Sequence, residues 1–370
     1  MTGPHPVYLD YNATTPIKPA VVAAMTELLG RVGNPSSVHT FGREARRAVE
    51  TARDQVAALV GAKPAQVIFT ASGTEANNLA LRGFPEHAVL VSAIEHESVL
   101  RAAPDAPRIP VTVEGVIDLA ALDALLERAE RPALVSVMLA NNETGIVQPI
   151  AEIVALAHRR GALVHSDAVQ GVGRLALDLT ALDVDLLTVS AHKCGGPQGA
   201  AALIARTDPA PLLVGGGQER GRRAGTENVA ALAGFGVAAT LAVAELAEAP
   251  SIARLRDGLE ARVRAVSNRA VVIGAGQQRL PNTSCLALPG LKAETQVMAL
   301  DLAGVAVSAG SACSSGKVAA SHVLAAMGLP KRVAGSAIRI SLGWTTGDHD
   351  IDRFVAAWTA LPAVGPRSAA

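Results

Sequence analysis

The 370-residue chain is short of several things, and each shortage excludes something. Aromatic side chains number only nine (five Phe, two Tyr, two Trp). A flat ligand would have few rings to stack on, which turns attention to histidine, whose imidazole is flat and titrates near neutrality. Cysteines number three (Cys194, Cys285, Cys313), and no C-x-x-C pair occurs. They cannot build a disulfide framework, at least one thiol must be free, and a reducing cytoplasm fits them. Net charge is lacking: 33 Lys and Arg balance 33 Asp and Glu. A balanced chain has no electrostatic footprint for DNA, RNA or an anionic membrane. The start, MTGPHPVYLDYNATTP, has neither a basic stretch nor an apolar run, so no signal peptide is expected. The longest apolar stretch, Val229–Ala244, is mostly small residues and reads as a packed helix rather than a membrane span. The nucleotide-binding pattern G-x-x-x-x-G-K-S/T is missing, as are internal repeats and low-complexity tracts.

What is present is a chain able to bury a sizeable core, with 49% apolar and 18% charged residues. Its length points to two domains, or one large domain with a smaller lobe. Short β-rich runs at 67–70, 88–92, 133–139, 162–165, 185–189 and 200–204 end in small or polar residues. Helical spacing lies between several of them, at 43–60 (Val49, Ala52, Val56, Leu59, Val60) and 150–160 (Ile150, Ile153, Val154, Ala157). Such alternation predicts an α/β fold with a mainly parallel sheet covered by helices. Ligands in such sheets bind beyond the carboxyl ends of the strands. After about residue 249 a helix pattern at 252–266 is followed by separated strand runs at 270–273, 284–288 and 338–341, which reads as a smaller α+β domain. The expected division is a large domain at 16–248 and a small one made of 1–15 and 249–370. The tail, 363–370, is expected to fray.

The chemistry-bearing residues follow the strand runs. Lys193, in SAHKCGGPQG (190–199), ends an apolar run in an uncharged, Gly-rich setting. Buried lysine needs a reason. One is a Schiff base, in which the amine serves as nucleophile; the other reading is an exposed loop lysine. Asp167, in SDAVQ (166–170), ends the preceding run. A pyridine ring used as an electron sink needs such a carboxylate at its nitrogen, although alone Asp167 reads equally as a turn or cap residue. In TASGTEANN (70–78) a strand runs into a small-residue turn and a helix start, a setting for a phosphate monoester. The same Ser72 and Glu75 also fit an ordinary capping box. His96, in EHES (95–98), could stack on a flat ring and move protons, or be a plain capping residue.

Together these segments resemble the class V pyridoxal-phosphate enzymes of the aspartate aminotransferase type, and more narrowly the NifS/IscS-type cysteine desulfurases. Ten segments match in order: YLDYNATTP (8–16), GNPSSVH (33–39), SGTEANN (72–78), EHES, NNETG (141–145), SDAVQ, SAHKCGGPQG, GGGQERGRRAGTEN (215–228), SAGSACSS (308–315) and RISLG (339–343). The resemblance implies fold type I of the pyridoxal-phosphate transferases and pyridoxal 5'-phosphate as cofactor, with no metal. By that resemblance Lys193 would hold the cofactor and shuttle protons. Asp167 would pair with the ring nitrogen, and Gln170 would bond the ring hydroxyl. His96 would stack on the ring and act as acid and base. Gly73, Thr74, Ser190 and His192 would hold the phosphate. Asn142 would lie near the ring hydroxyl and the substrate, and Arg339 would grip the substrate carboxylate, for which a guanidinium fork is suited. Thr226 would reach the phosphate of a neighbouring subunit, which implies a homodimer.

Cys313 lies among small, polar and Gly residues, the composition of a loop rather than a core. Cys285 fits a buried strand, and Cys194 fits a small residue packed under the cofactor. The resemblance makes Cys313 the residue that takes sulfur from L-cysteine as a persulfide, leaves alanine, and passes the sulfur to an acceptor or iron–sulfur scaffold protein. The thiolate is the required nucleophile, and the loop would swing to carry the sulfur outward. The stretch from Ser314 to Ser321 keeps the longer loop of the NifS/IscS branch. Only 27 residues follow Gly343, so no extended tail for scaffold docking is expected. Two other readings stand beside this one: a selenocysteine lyase or another class V lyase or transaminase, and a non-catalytic sulfur-relay scaffold. Activity independent of Cys313 would mark the first, and a colourless protein the second.

Overall fold

The computed structural model describes residues 6–310, 321–362 and 364. Cys313, and with it most of the loop expected to carry it, lies outside the described residues, as does all of 363–370 except Val364.

A short strand, β1 (Val7–Tyr8), opens the chain. The β-rich runs of the middle then form a seven-stranded sheet. Its strands are β2 (Val67–Thr70), β3 (Ala88–Ser92), β4 (Arg108–Ile109), β5 (Ala133–Ser136), β6 (Leu163–Asp167), β7 (Leu186–Ser190) and β8 (Ala201–Ala205). The spatial order is β2-β8-β7-β6-β5-β3-β4. β3 to β7 pair in parallel, and β8 is antiparallel to both of its neighbours. The expected mainly parallel sheet is therefore what forms. Residues alternate between faces along each strand, as the pleat requires. Phe69, Val135, Val164, Leu187 and Ile204 join one core, while Ile68, Leu134, Leu186 and Leu203 join another on the opposite face.

The helix Val229–Ala244 packs on Thr40–Leu59 and Pro19–Leu29 and is buried along most of its length. Together with the helix that follows, it forms the run Val229–Val266, which is long and apolar enough by composition to cross a membrane. Half of its apolar window is buried inside the fold. The core helix of a globular fold meets the same criteria.

The last third builds a four-stranded antiparallel sheet, β12 (Ser308–Ala309), β13 (Ala337–Ser341), β10 (Thr283–Ala287) and β9 (Val271–Ile273), in that order. It has its own core, which includes Leu286, Ile338, Ile340, Phe354 and Trp358. The chain start belongs with it: β1 pairs in parallel with β11 (Val305–Ala306), with Val7 opposite Val305. Immediately beyond β1, residues 10–15 cross from this sheet to the carboxyl edge of the larger one. Tyr11 N–H donates to Ser341 O at one end, and Thr15 N–H donates to His192 O at the other.

Candidate active site

The parallel strands end along one edge, and the chemistry-bearing side chains stand there. Asp167 is the last residue of β6 and is 6% exposed. Its Oδ1 accepts from Val169 N–H at 3.0 Å and its Oδ2 from Asn77 Nδ2 at 2.8 Å. Asn77 also donates to Ser98 Oγ at 2.8 Å, and Ser98 Oγ lies 2.8 Å from His96 Nδ1. Asp167 and His96 are thus joined through Asn77 and Ser98. Burial lowers the pKa of His96, against the raising influence of Asp167, so the imidazole is neutral at neutral pH. Below Asp167, burial pushes the Glu95 carboxyl well above its usual range, and Asp167 pushes it the same way. One Glu95 oxygen accepts from Met138 N–H at 2.6 Å, and the other has no partner among the described residues.

Lys193 follows β7 through one tight turn. Its Nζ donates to the carbonyl oxygens of Asn12 and Ala13, the latter at 2.9 Å. Gly195 holds the turn beside it at φ +81°, and an added Cβ there would lie 2.8 Å from the Lys18 stem. Cys194 is buried and donates to Ala191 O at 3.3 Å, and burial pushes its thiol up to about 12. It is inert at neutral pH. Cys285 is buried in β10, opposite Arg339 of β13, and is likewise pushed up by burial. A cavity of about 420 Å³ reaches Lys193 from the side of Thr15, Cys194, Asn282 and Trp344.

Gly73 opens the helix Gly73–Arg82, which follows β2. Ser72 Oγ caps it by accepting from Glu75 N–H at 3.1 Å, while Glu75 accepts from Ala71 N–H, a variant of the expected box. The amides of Gly73 and Thr74 find no acceptor among the described residues. A Cβ on Gly73 would lie 3.2 Å from Val169 Cγ2 and 3.7 Å from Ser190 Cβ. Gly73, Ser190 and the Asp167 turn therefore enclose one small space. Near it, His192 Nδ1 is 3.2 Å from Thr14 Oγ1, and burial brings this imidazole down to about 4.

The four-stranded sheet contributes Arg339, 5% exposed within β13. Nη1 donates to Asn142 O at 3.1 Å and Nη2 to Asp10 Oδ1 at 2.7 Å, while Nε is buried and has no partner among the described residues. The Asn142 side chain makes no hydrogen bond among the described residues. Thr226 is exposed. Its segment is clipped to the helix Gly73–Arg82 by Arg223, which donates to Glu75 at 2.7 and 3.3 Å.

Asn12 ties the cluster together, and nothing local in the sequence marks it. Its Nδ2 donates to Thr283 Oγ1 and Asn142 O, its Oδ1 accepts from Asn282, and its carbonyl accepts from Lys193 and Gln170. Glu143 was also unmarked. It is a buried acid, raised by burial, that accepts from Ser321.

The residues present fit pyridoxal 5'-phosphate. A lysine amine, a buried carboxylate and two free amides at a helix N-terminus share one edge, and the Gly73 space has no room for a side chain. The unpartnered Arg339 Nε leaves one donor for a substrate carboxylate.

Comparison with known proteins agrees with this inventory. Residues 7–354 match the family model described as aminotransferase class-V. A cysteine desulfurase of Klebsiella pneumoniae is 44% identical over 363 residues, covering 95% of this chain and 91% of that protein. One from Trichormus azollae is 43% identical over 365 residues, covering 94% and 91%. The X-ray structure of a NifS-like protein from Rickettsia africae ESF-5 superposes with a TM-score of 0.89 at 39% identity, covering 96% of this chain and 98% of the other.

Proposed function

We propose, of a chain that belongs to the aminotransferase class-V family and within it to the NifS/IscS-type cysteine desulfurases, that the strand-end cluster around Lys193 is where pyridoxal 5'-phosphate and L-cysteine meet. The chain is a pyridoxal-phosphate-dependent enzyme, a cysteine desulfurase. One observation carries the assignment of residues. Lys193, the Asp167 turn and Arg339, from two different sheets, are gathered around Asn12 and Asn142 with donors left open at Arg339 Nε and at the Gly73 and Thr74 amides.

When bound, the cofactor supplies an electron sink that lets the Cα–H and Cβ–Sγ bonds of cysteine break heterolytically. The chain's residues do the rest. Lys193 anchors the cofactor, and its freed amine takes the Cα proton. Asp167, held by Asn77 and Val169, would pair with the ring nitrogen. Gly73, Thr74, Ser190 and His192 receive the phosphate. His96 would stack on the ring, and its burial, which lowers its pKa, keeps it in the unprotonated form that could accept the thiol proton of the substrate. Arg339 and Asn142 orient the substrate. The Cys313 thiolate then forms an S–S bond to Sγ as Cβ–Sγ breaks. The bonding pair stays on Cβ and is quenched by a proton, giving alanine, and Cys313 is left as a persulfide whose outer sulfur passes to an acceptor.

Thr226 serves the site of a second copy in a homodimer. Its exposure supports this, as do the exposed Leu212, Leu213 and Val214, which join the Thr226 segment through Ala224 N–H donating to Leu213 O. On the resemblance alone, the acceptor is an iron–sulfur assembly protein in the cytoplasm.

The test is direct. Purified protein is expected to be yellow and to release alanine from L-cysteine. Cys313→Ala should lose turnover and keep the colour. Full persulfide transfer by Cys313→Ala would sink the mechanism, and turnover of selenocysteine by that variant would favour a selenocysteine lyase.

A further inference from the structure

Arg174 is a buried guanidinium that the chemistry above does not use. It is 8% exposed, and both of its terminal nitrogens are spent on neutral acceptors. Nη1 donates to Gln170 O at 3.1 Å and to Gln170 Oε1, and Nη2 donates to Tyr11 O at 3.2 Å. No carboxylate pairs with it among the described residues. Asp10 is taken by Arg339, Glu245 by Lys18, and Glu248 is exposed. The other groups that feel its charge are His192, Arg339 and the Cys194 thiol, none of them anionic at neutral pH. Burying an unpaired cation is costly. Here it lowers the guanidinium to about 9, so the charge persists at neutral pH. The charge lines the same cavity as Lys193, with no carboxylate paired to it among the described residues.

The contact with Gln170 has a further consequence. A guanidinium has donors and no acceptor, so only the oxygen of the Gln170 amide can face it. The NH₂ edge must then point the other way. That edge does point into the site: Nε2 donates to Asn12 O at 3.0 Å, the carbonyl that also accepts from Lys193. One N–H of the amide remains to be given.

We infer that Arg174 is a positioning residue of the cofactor site. It locks the Gln170 amide with its donor edge toward the bound ring and places an unneutralised positive charge behind it, so the ring oxygen is held ionised. This rests on the reading that pyridoxal phosphate binds here.

The experiment follows the visible absorption band of the holoenzyme against pH, together with its cofactor content. A buried positive charge disfavours protonation of the group whose titration the band reports. Removing it in Arg174→Met should raise the midpoint by about one pH unit with cofactor content retained. Arg174→Lys keeps the charge and should restore most of the shift, which a merely structural role would not do. An unmoved midpoint in Arg174→Met overturns the inference, and so does a shift that Arg174→Lys leaves in full. If Arg174→Met does not fold, Gln170→Glu decides. Its carboxylate neutralises Arg174 and offers the ring no donor, so the midpoint must rise by at least as much, and an unchanged midpoint overturns the inference. A wild-type protein with no visible band would overturn both this inference and the cofactor reading. A normal band with unmoved midpoints overturns this one alone.

Discussion

Asp167 and Lys193 leave the seven-stranded sheet at strand ends, where the backbone turns and a side chain can face a ligand, whereas Arg339 sits inside a strand of the four-stranded sheet. Asp167 is held within its own layer by Val169 and Asn77, while Lys193 leaves through the turn beside Gly195 and gives its amine to the Asn12 and Ala13 carbonyls of the crossing. Arg339 is held by Asp10 and Asn142, more than 190 positions away in sequence. One sheet therefore presents a group by ending, and the other by lending a side chain from its interior. The larger sheet supplies Lys193 and Asp167, but the contacts of Arg339 exist only where the two sheets meet at the 10–15 crossing.

If that division is right, substitutions in the two sheets should fail differently. Lys193→Ala should abolish the visible band and lower turnover by about 10³-fold or more, since both the anchor and the proton carrier are lost. Arg339→Ala should keep the band and raise KM for cysteine by about 10²-fold, the worth of one charge-assisted hydrogen bond. Spectra and steady-state kinetics on the same preparations check both. An Arg339→Ala protein unable to hold the cofactor would break the comparison.

A smaller effect sharpens it. His165 is fully buried in β6 between Ser136 and Thr188, and burial takes its pKa from 6.5 to about 4. The unfolded chain therefore binds this proton first as pH falls. Stability is full above pH 6.5 and drains away toward pH 4, by about 3 kcal/mol from this group. Urea unfolding at pH 7.5 and 4.5 should show the loss, and His165→Gln should flatten it. An equal acid loss in both proteins would place the acid-sensitive group elsewhere.

How much of this was legible in the sequence follows from where the determining partners lie. Strands and their ends are local features. The run expected at 133–139 leaves the strand at Ser136, yet Val137 and Leu139 amides still donate to carbonyls of β6. The helix expected from 43 starts at Thr40, because His39 caps it by accepting from Gly42 N–H. Those misjudgements cost a few residues, since capping by histidine has a weak signature. Asn12, Asn77, Ser98 and Arg174 are another matter. Asn12 is polar in a polar motif, Asn77 lies on a helix whose caps were already explained, and Arg174 reads as a surface residue until its partners at Tyr11 and Gln170 are in place. Their roles depend on contacts between distant segments, which neither period nor composition encodes.

The Asn12 crossing has a consequence in time. Its amide donates to Ser341 Oγ across 329 positions, and its side chain needs Asn282 and Thr283. Ribosomes add about 5–20 residues per second, so this segment must wait on the order of tens of seconds for its partners to emerge. The floor under Lys193 therefore cannot close in a nascent chain before residues 282 to 341 have emerged.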